Sequence, residues 1–255
     1  MAARSSAAHE PMNASTTTSP NKTIAVDCRG VTKSYGQGAA RVQALRGVDI
    51  DVTTGELMML VGPSGCGKTT LISVIAGILD RDGGQCTVFG NDFQKLSGKQ
   101  RTLYRGQNIG FVFQAYNLLP TLTAAQNAAI PLLIRGERRS RATEQAREVL
   151  TKVGFTKRMM ESYPAMLSGG QQQRVAIARA MVHEPRLIVC DEPTSALDHE
   201  TGHTVMELLR NVALQNDRAL IIVTHDARIF EFADRIAQMD DGHIVRIVNS
   251  AQELK

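Results

Sequence analysis

A glycine loop constrains this chain more than any other segment. Gly62-Pro63-Ser64-Gly65-Cys66-Gly67-Lys68-Thr69 fills the pattern G-x-x-x-x-G-K-[ST] in full. The segment before it, Glu56–Val61, is a short apolar run, and residues 69–79 place Leu71, Ile72, Ile75, Ala76 and Leu79 at helical spacing. The spacing predicts a buried strand that feeds a loop, which feeds a helix. Glycines let such a loop fold so that its N–H groups point inward at phosphate oxygens, and the helix that follows adds the positive end of its dipole. In this arrangement Lys68 reaches the β- and γ-phosphates of a nucleotide, and the Thr69 hydroxyl ligates Mg2+.

A phosphate site of this kind needs an acid at the end of a second buried strand. Leu187-Ile188-Val189-Cys190-Asp191-Glu192 supplies it. Asp191 is expected in the Mg2+ shell and Glu192 beside the attacking water. The apolar runs at 187–190 and Ala219–Val223, with helical patterns between them, suit a parallel sheet covered on both faces. Ile24-Ala25-Val26 opens an earlier strand, residues 33–38 read as a turn-rich break, and residues 42–52 read as more strand. Residues 116–164 read as mostly helical, with the charged stretch 136–149 as a solvated face. Residues 236–239 and 244–248 flank Asp240-Asp241-Gly242, a hairpin signal.

Composition excludes several classes. The chain has 255 residues, 43% hydrophobic and 21% charged, which is ordinary for a globular protein. Its apolar stretch at 71–79 is broken by Ser73 and Gly77 and falls well short of the ~20 residues of a membrane span. A net charge of +4, no Trp and 4% aromatics argue against a nucleic-acid partner. Cys28, Cys66, Cys86 and Cys190 are scattered, so neither a disulfide framework nor a metal site is expected. Residues 1–22, rich in Ala, Ser, Thr and Pro, are expected to form a disordered tail before a domain at 23–255.

A second anion site is legible further on. Leu167-Ser168-Gly169-Gly170-Gln171 precedes a helical pattern at Val175, Ala178 and Met181 or Val182, so a hydroxyl and backbone N–H groups sit at a helix start. This segment resembles the signature motif of ABC-type ATPases, and the other features follow in that family's order. The resemblance implies an α/β fold: a P-loop NTPase (RecA-like) core with a parallel-strand sheet, an antiparallel β subdomain and an α-helical signature subdomain at about 115–170. It implies ATP held by Gly62 to Thr70, with Tyr35 stacked on adenine, and Mg2+ held by Thr69, Gln114 and Asp191. Glu192, His225, Lys68 and Gln114 become the catalytic set, with His225 touching the γ-phosphate. Leu167, Ser168, Gly169, Gly170 and Gln171 would close over the ATP of a partner subunit, and Ser195 and Asp198 would lie in a loop across the dimer interface.

Within the family, residues 110–123 and Asn127 resemble the lipoprotein-releasing and macrolide-efflux group, and the cyanobacterial glycolipid-exporter ATPases look similar. Gln126 stands where that group has Glu, which bears on the contact with the membrane partner. The resemblance implies an ATP-hydrolysing homodimer serving separate transmembrane permease subunits, with a periplasmic adaptor as a further partner, at the cytoplasmic face of the inner membrane. An ATPase whose membrane partner controls cell-wall hydrolases without transport is the alternative. DNA-repair ABC ATPases carry long coiled coils or zinc modules between the two motifs, and translation-associated ones carry two cassettes; this chain has neither feature. Cys66 reads as a small residue that fits the loop, with thiol modification blocking ATP as the other reading.

Overall fold

The structure is a computed structural model that describes residues 23–213 and 217–254; the expected tail at 1–22 lies outside them. Its centre is strand β3 (Glu56–Val61), in which all six residues are buried. Strand alternation sends Leu57, Met59 and Val61 into one core, while Met58 and Leu60 enter the core on the opposite face. With both faces covered, the strand reads as a continuous apolar run.

Around β3 lies a six-stranded sheet in the order β5 (Ile109–Val112), β6 (Leu187–Asp191), β7 (Ala219–Val223), β3, β8 (Arg235–Asp240), β9 (His243–Val248). All neighbours are parallel except β8 and β9, which form the expected hairpin around Asp241 and Gly242, both at positive φ. A second sheet is antiparallel, ordered β2 (Val42–Thr53), β1 (Ile24–Tyr35), β4 (Gly83–Val88). Helix α1 (Lys68–Ile75) packs into the core shared with that sheet. Helices α3 (Ala124–Ile134), α4 (Arg139–Lys152), α5 (Lys157–Met160), α6 (Gly169–Met181) and α7 (His199–Ala213) contribute to the other core. This is the expected fold class.

Several local expectations change. Strand β1 runs through Lys33 and Ser34 to Tyr35, so the break at 33–38 shrinks to Gly36 and a short 3-10 turn at Gly38–Ala40. Asp82 anchors that end, accepting from the Ser34 amide at 2.7 Å and from Lys33 Nζ at 2.8 Å. Helix α1 stops at Ile75 rather than 79 because Gly77, at φ +65°, packs its backbone on the Phe93 ring and a Cβ there would lie 2.6 Å from it. Strand β4 and helix α2 (Gly98–Asn108) carry too few apolar residues to show a period. Most of the charged stretch at 136–149 belongs to α4, whose Ala142, Ala146 and Leu150 are buried at four-residue spacing. That helix is amphipathic, and its apolar stripe is hidden by being mostly alanine.

The cysteines also differ from expectation. Cys28 and Cys86 face each other across β1 and β4, Cα atoms 4.1 Å apart, and are joined as a disulfide. Fifty-eight residues separate them in the chain, and only strand pairing brings them together. Cys66 and Cys190 are free and buried, and burial pushes the Cys190 thiol far up.

Candidate nucleotide site

The parallel register aligns three strand ends. Val223 of β7 stands opposite Leu60 of β3 on one side and Asp191 of β6 on the other. The residues that follow each strand, Gly62, Glu192 and Thr224-His225, therefore emerge together at the carboxyl edge of the sheet, where open α/β folds bind ligands.

Gly62, Gly65 and Gly67 have φ values of +149°, +81° and +104°. Space as well as dihedral demands glycine at two of them: a Cβ on Gly62 would strike the Met239 carbonyl, and one on Gly67 the Ala44 carbonyl. Gly67 is the left-handed N-cap of α1, and no side chain caps that helix. Its first-turn N–H groups are left for a ligand. Lys68 is buried, and its Nζ donates to the carbonyls of Gly62 at 2.9 Å and Pro63 at 2.7 Å, with Cys66 Sγ at 3.7 Å. The ammonium is thus held over the loop. Thr69 Oγ1 donates to Asp191 Oδ2 at 2.9 Å. Burial raises the Asp191 carboxyl above its ordinary range, the Thr69 bond works against this, and the neighbouring Glu192 adds to it. Two hard oxygen groups side by side suit a small divalent cation. Tyr35 is half exposed, and its hydroxyl lies 3.4 Å from Thr70 Oγ1, placing the ring at the rim of the loop.

Glu192 occupies the left-handed region at φ +54°, a strained setting for a non-glycine residue. Its Oε1 accepts from His225 Nδ1 at 2.7 Å. The histidine is exposed while the carboxylate is mostly covered. The two groups expected beside the γ-phosphate are therefore joined. Gln114, just beyond β5, is exposed, and its side chain is not hydrogen-bonded to Thr69 or Asp191.

Ser168 is the N-cap of α6, in a capping box with Gln171. The Gln171 amide donates to Ser168 Oγ at 3.2 Å, and Gln171 Oε1 accepts from the Ser168 amide at 2.9 Å. The Gln171 amide is therefore satisfied by the cap, while Ser168 and Gly169 are exposed. Ser195 Oγ donates to the Glu192 carbonyl at 3.1 Å. Asp198 is exposed; the amide and hydroxyl of Thr201 bond its carboxylate at 2.9 and 2.8 Å and hold it below the ordinary carboxylate range. It thus anchors the start of α7.

Several further residues frame the site; of these, Arg179 has no motif to mark it. Asn127, fully buried, bonds both the amide and carbonyl of Leu119 and the carbonyls of Leu122 and Thr123, pinning the loop beyond Gln114. Gln126 forms a capping box with Thr123 at the start of α3, the job Glu would do. Arg179 of α6 donates to the carbonyls of Tyr116 and Asn117, both at positive φ and both at 2.6 Å.

Comparison with known proteins agrees with this geometry. The ABC transporter family model matches residues 45–195. The lipoprotein-releasing system ATP-binding protein LolD of Legionella pneumophila (strain Paris) is 43% identical over 212 residues, covering 83% of this chain and 93% of that protein. LolD of Bordetella pertussis is 42% identical over 229 residues, 89% of this chain and 98% of that protein. A dimeric structure of the ATP-binding cassette MJ0796 in a post-hydrolysis state, bound to ADP and Pi, superposes with a TM-score of 0.84 at 35% identity, covering 88% of this chain and 98% of that one. With the fold, the two glycine-flanked helix starts and these relatives in agreement, the chain belongs to the ABC transporter family as an ATP-binding, ATP-hydrolysing subunit.

Proposed function

We propose that this chain drives an exporter of lipid, lipoprotein or drug-like cargo, as a head-to-tail pair beneath separate transmembrane subunits at the cytoplasmic face of the inner membrane. The observation that carries the reading is the contrast of two anion sites on one chain. The buried loop lies beside Asp191 and Glu192; the exposed Ser168 helix start has no acidic residue in its first turn. A second copy places its own phosphate loop against that exposed start, giving two identical composite sites.

In each site ATP lies on the loop, with adenine against Tyr35 and the β- and γ-phosphates against Lys68. Thr69 and Asp191, with Gln114 as the third ligand, would hold Mg2+, which supplies positive charge at the phosphate oxygens. Glu192 takes a proton from the water that attacks the γ-phosphorus. The new P–O bond forms as the bond to the β-phosphate oxygen breaks, leaving ADP and Pi. His225, bonded to Glu192 through Nδ1, keeps the carboxylate turned to the water and offers its other ring nitrogen to the γ-phosphate. The partner's Ser168 to Gly170 groups stabilise the developing charge. Ser195 and Asp198 line the interface between copies.

A groove of about 460 Å³ between α2, β5 and the end of α3 supports the membrane coupling. Ile78 and Ile134, both exposed, and Phe113, next to Gln114, line it. An amphipathic helix of the permease fits this chemistry. Among the described residues no helix is long and apolar enough to cross a membrane. The names of the LolD relatives favour lipoprotein cargo, and the +4 charge favours an anionic leaflet.

The test is reconstitution of the chain with the membrane protein it copurifies with. ATP-dependent release of an acylated protein from the proteoliposomes, lost in Glu192→Gln, is expected. Activation of a cell-wall hydrolase with no cargo moved would overturn the export reading.

A further inference from the structure

Helix α6 does more than present Ser168. One turn in from that residue, Gln173 is only 1% exposed, and both ends of its carboxamide are used. Its Nε2 donates to the Glu192 carbonyl at 2.9 Å, and its Oε1 accepts from the Ala196 amide at 3.3 Å. The two contacts bracket the turn that carries Glu192 at φ +54°. The same Glu192 carbonyl accepts from Ser195 Oγ and, at 3.3 Å, from the Ser195 amide. Of these donors Gln173 alone comes from outside the turn. It is therefore the group that ties the turn's position to another element rather than to itself.

Packing reinforces the link. A Cβ on Gly170 would lie 3.0 Å from Leu197 Cδ2 and 3.2 Å from the Ala196 carbonyl, so the helix start rests directly on residues 196–197. A shift of Ser168 therefore moves Gln173 and the turn with it. A carboxamide suits this post because it donates and accepts at once, and a buried polar group that loses its partner is costly.

We propose that Gln173 is a positioning residue for hydrolysis. It holds Glu192 in its left-handed turn, and it makes the helix that serves one ATP report to the base that serves the other. The proposal rests on the composite-site reading above. The experiment compares wild type, Glu192→Gln, Gln173→Met and Gln173→Glu as full chains. Gln173→Met keeps the length but loses both bonds; Gln173→Glu keeps the acceptor and loses the donor when ionised. Three quantities are read: steady-state kcat, ATP affinity of the single chain by fluorescent-nucleotide displacement, and ATP-dependent dimer by size exclusion. Gln173→Met is expected to lose about tenfold in kcat, with ATP affinity within twofold of wild type. It is expected to accumulate the ATP-bound dimer as Glu192→Gln does, because binding outlasts slowed hydrolysis. Gln173→Glu is expected to fall between Gln173→Met and wild type in kcat.

A merely structural glutamine would give the opposite dimer result. If Gln173→Met weakens ATP-dependent dimerisation along with turnover, or turns over ATP within twofold of wild type, the proposal is overturned. If Gln173→Met does not fold, the Gln173→Glu dimer and kcat values decide on the same criteria. If wild type hydrolyses ATP but Glu192→Gln forms no dimer, the composite-site reading fails instead, whatever Gln173 does.

Discussion

The helix starts that follow the two glycine segments, those of α1 and α6, are built oppositely. Helix α1 begins at a left-handed glycine with no side-chain cap, behind a loop whose glycines are wedged against the Met239 and Ala44 carbonyls. Its lysine is buried and already bonded to two carbonyls. Helix α6 begins at an exposed serine that caps itself with Gln171. The first is a complete cradle whose shape is enforced by its surroundings. The second is capped by its own residues, and in the proposed pair it is the half of the site that a second copy completes. An anion bound only at the second would keep much of its water, so affinity should reside in the first and the second should act when another surface closes over it.

This comparison can be broken by experiment. The largest effect belongs to the acid beside the cradle: Glu192→Gln should slow ATP turnover by at least ~10²-fold while ATP binding survives, and equal turnover would remove Glu192 from its role. Next, Lys68→Ala and Ser168→Arg should separate the two starts. Lys68→Ala should weaken single-chain ATP affinity by at least ~10-fold, read by isothermal titration. Ser168→Arg should leave that affinity within about twofold yet cut turnover about tenfold or more. Loss of affinity in the serine variant would erase the distinction.

A smaller effect concerns the cap. Gln171→Ala removes half of the capping box, at a cost of about 1 kcal/mol, and should lower Tm by roughly 2–4 °C. Helix α1 has no such cap to lose. The smallest effect lies near the far end of α6, where buried His183 holds the Ile109 carbonyl through Nε2 at 3.0 Å. Burial lowers its pKa, partly opposed by that bond and assisted by Arg135. The unfolded chain then binds the proton more readily, so stability is full above the unfolded value of about 6.5 and falls as pH drops below it. Calorimetry between pH 7.5 and 5.5 should show Tm falling by a few degrees, and His183→Gln should flatten that slope.

The legible and illegible parts of the site divide along the same line. Gly62 to Thr69, Ser168 to Gln171 and Asp191-Glu192 could be read because each acts through its own stretch of backbone, where spacing is chemistry. Gln173 and Arg179 act across 19 and 62 or 63 residues of sequence, and nothing local distinguishes a buried glutamine from a solvated one. Gln126 is instructive in the other direction. As a departure from the relatives' pattern it pointed toward the membrane partner, yet its side chain caps α3. Strand β4 and the Cys28–Cys86 pair were hidden for a similar reason, since an edge strand with little apolar content is recruited by its neighbour.

By itself, then, the sequence determined the phosphate loop, the second helix start, the acidic strand end and the parallel α/β core, because glycine, serine and apolar runs dictate local backbone form. Only the tertiary structure decided that Glu192 is joined to His225, that Asp198 anchors α7, and that Gln173 ties α6 to the turn after β6. Those relations depend on the register of β6, β7 and β3 and on how α6 lies against them, which long-range packing sets.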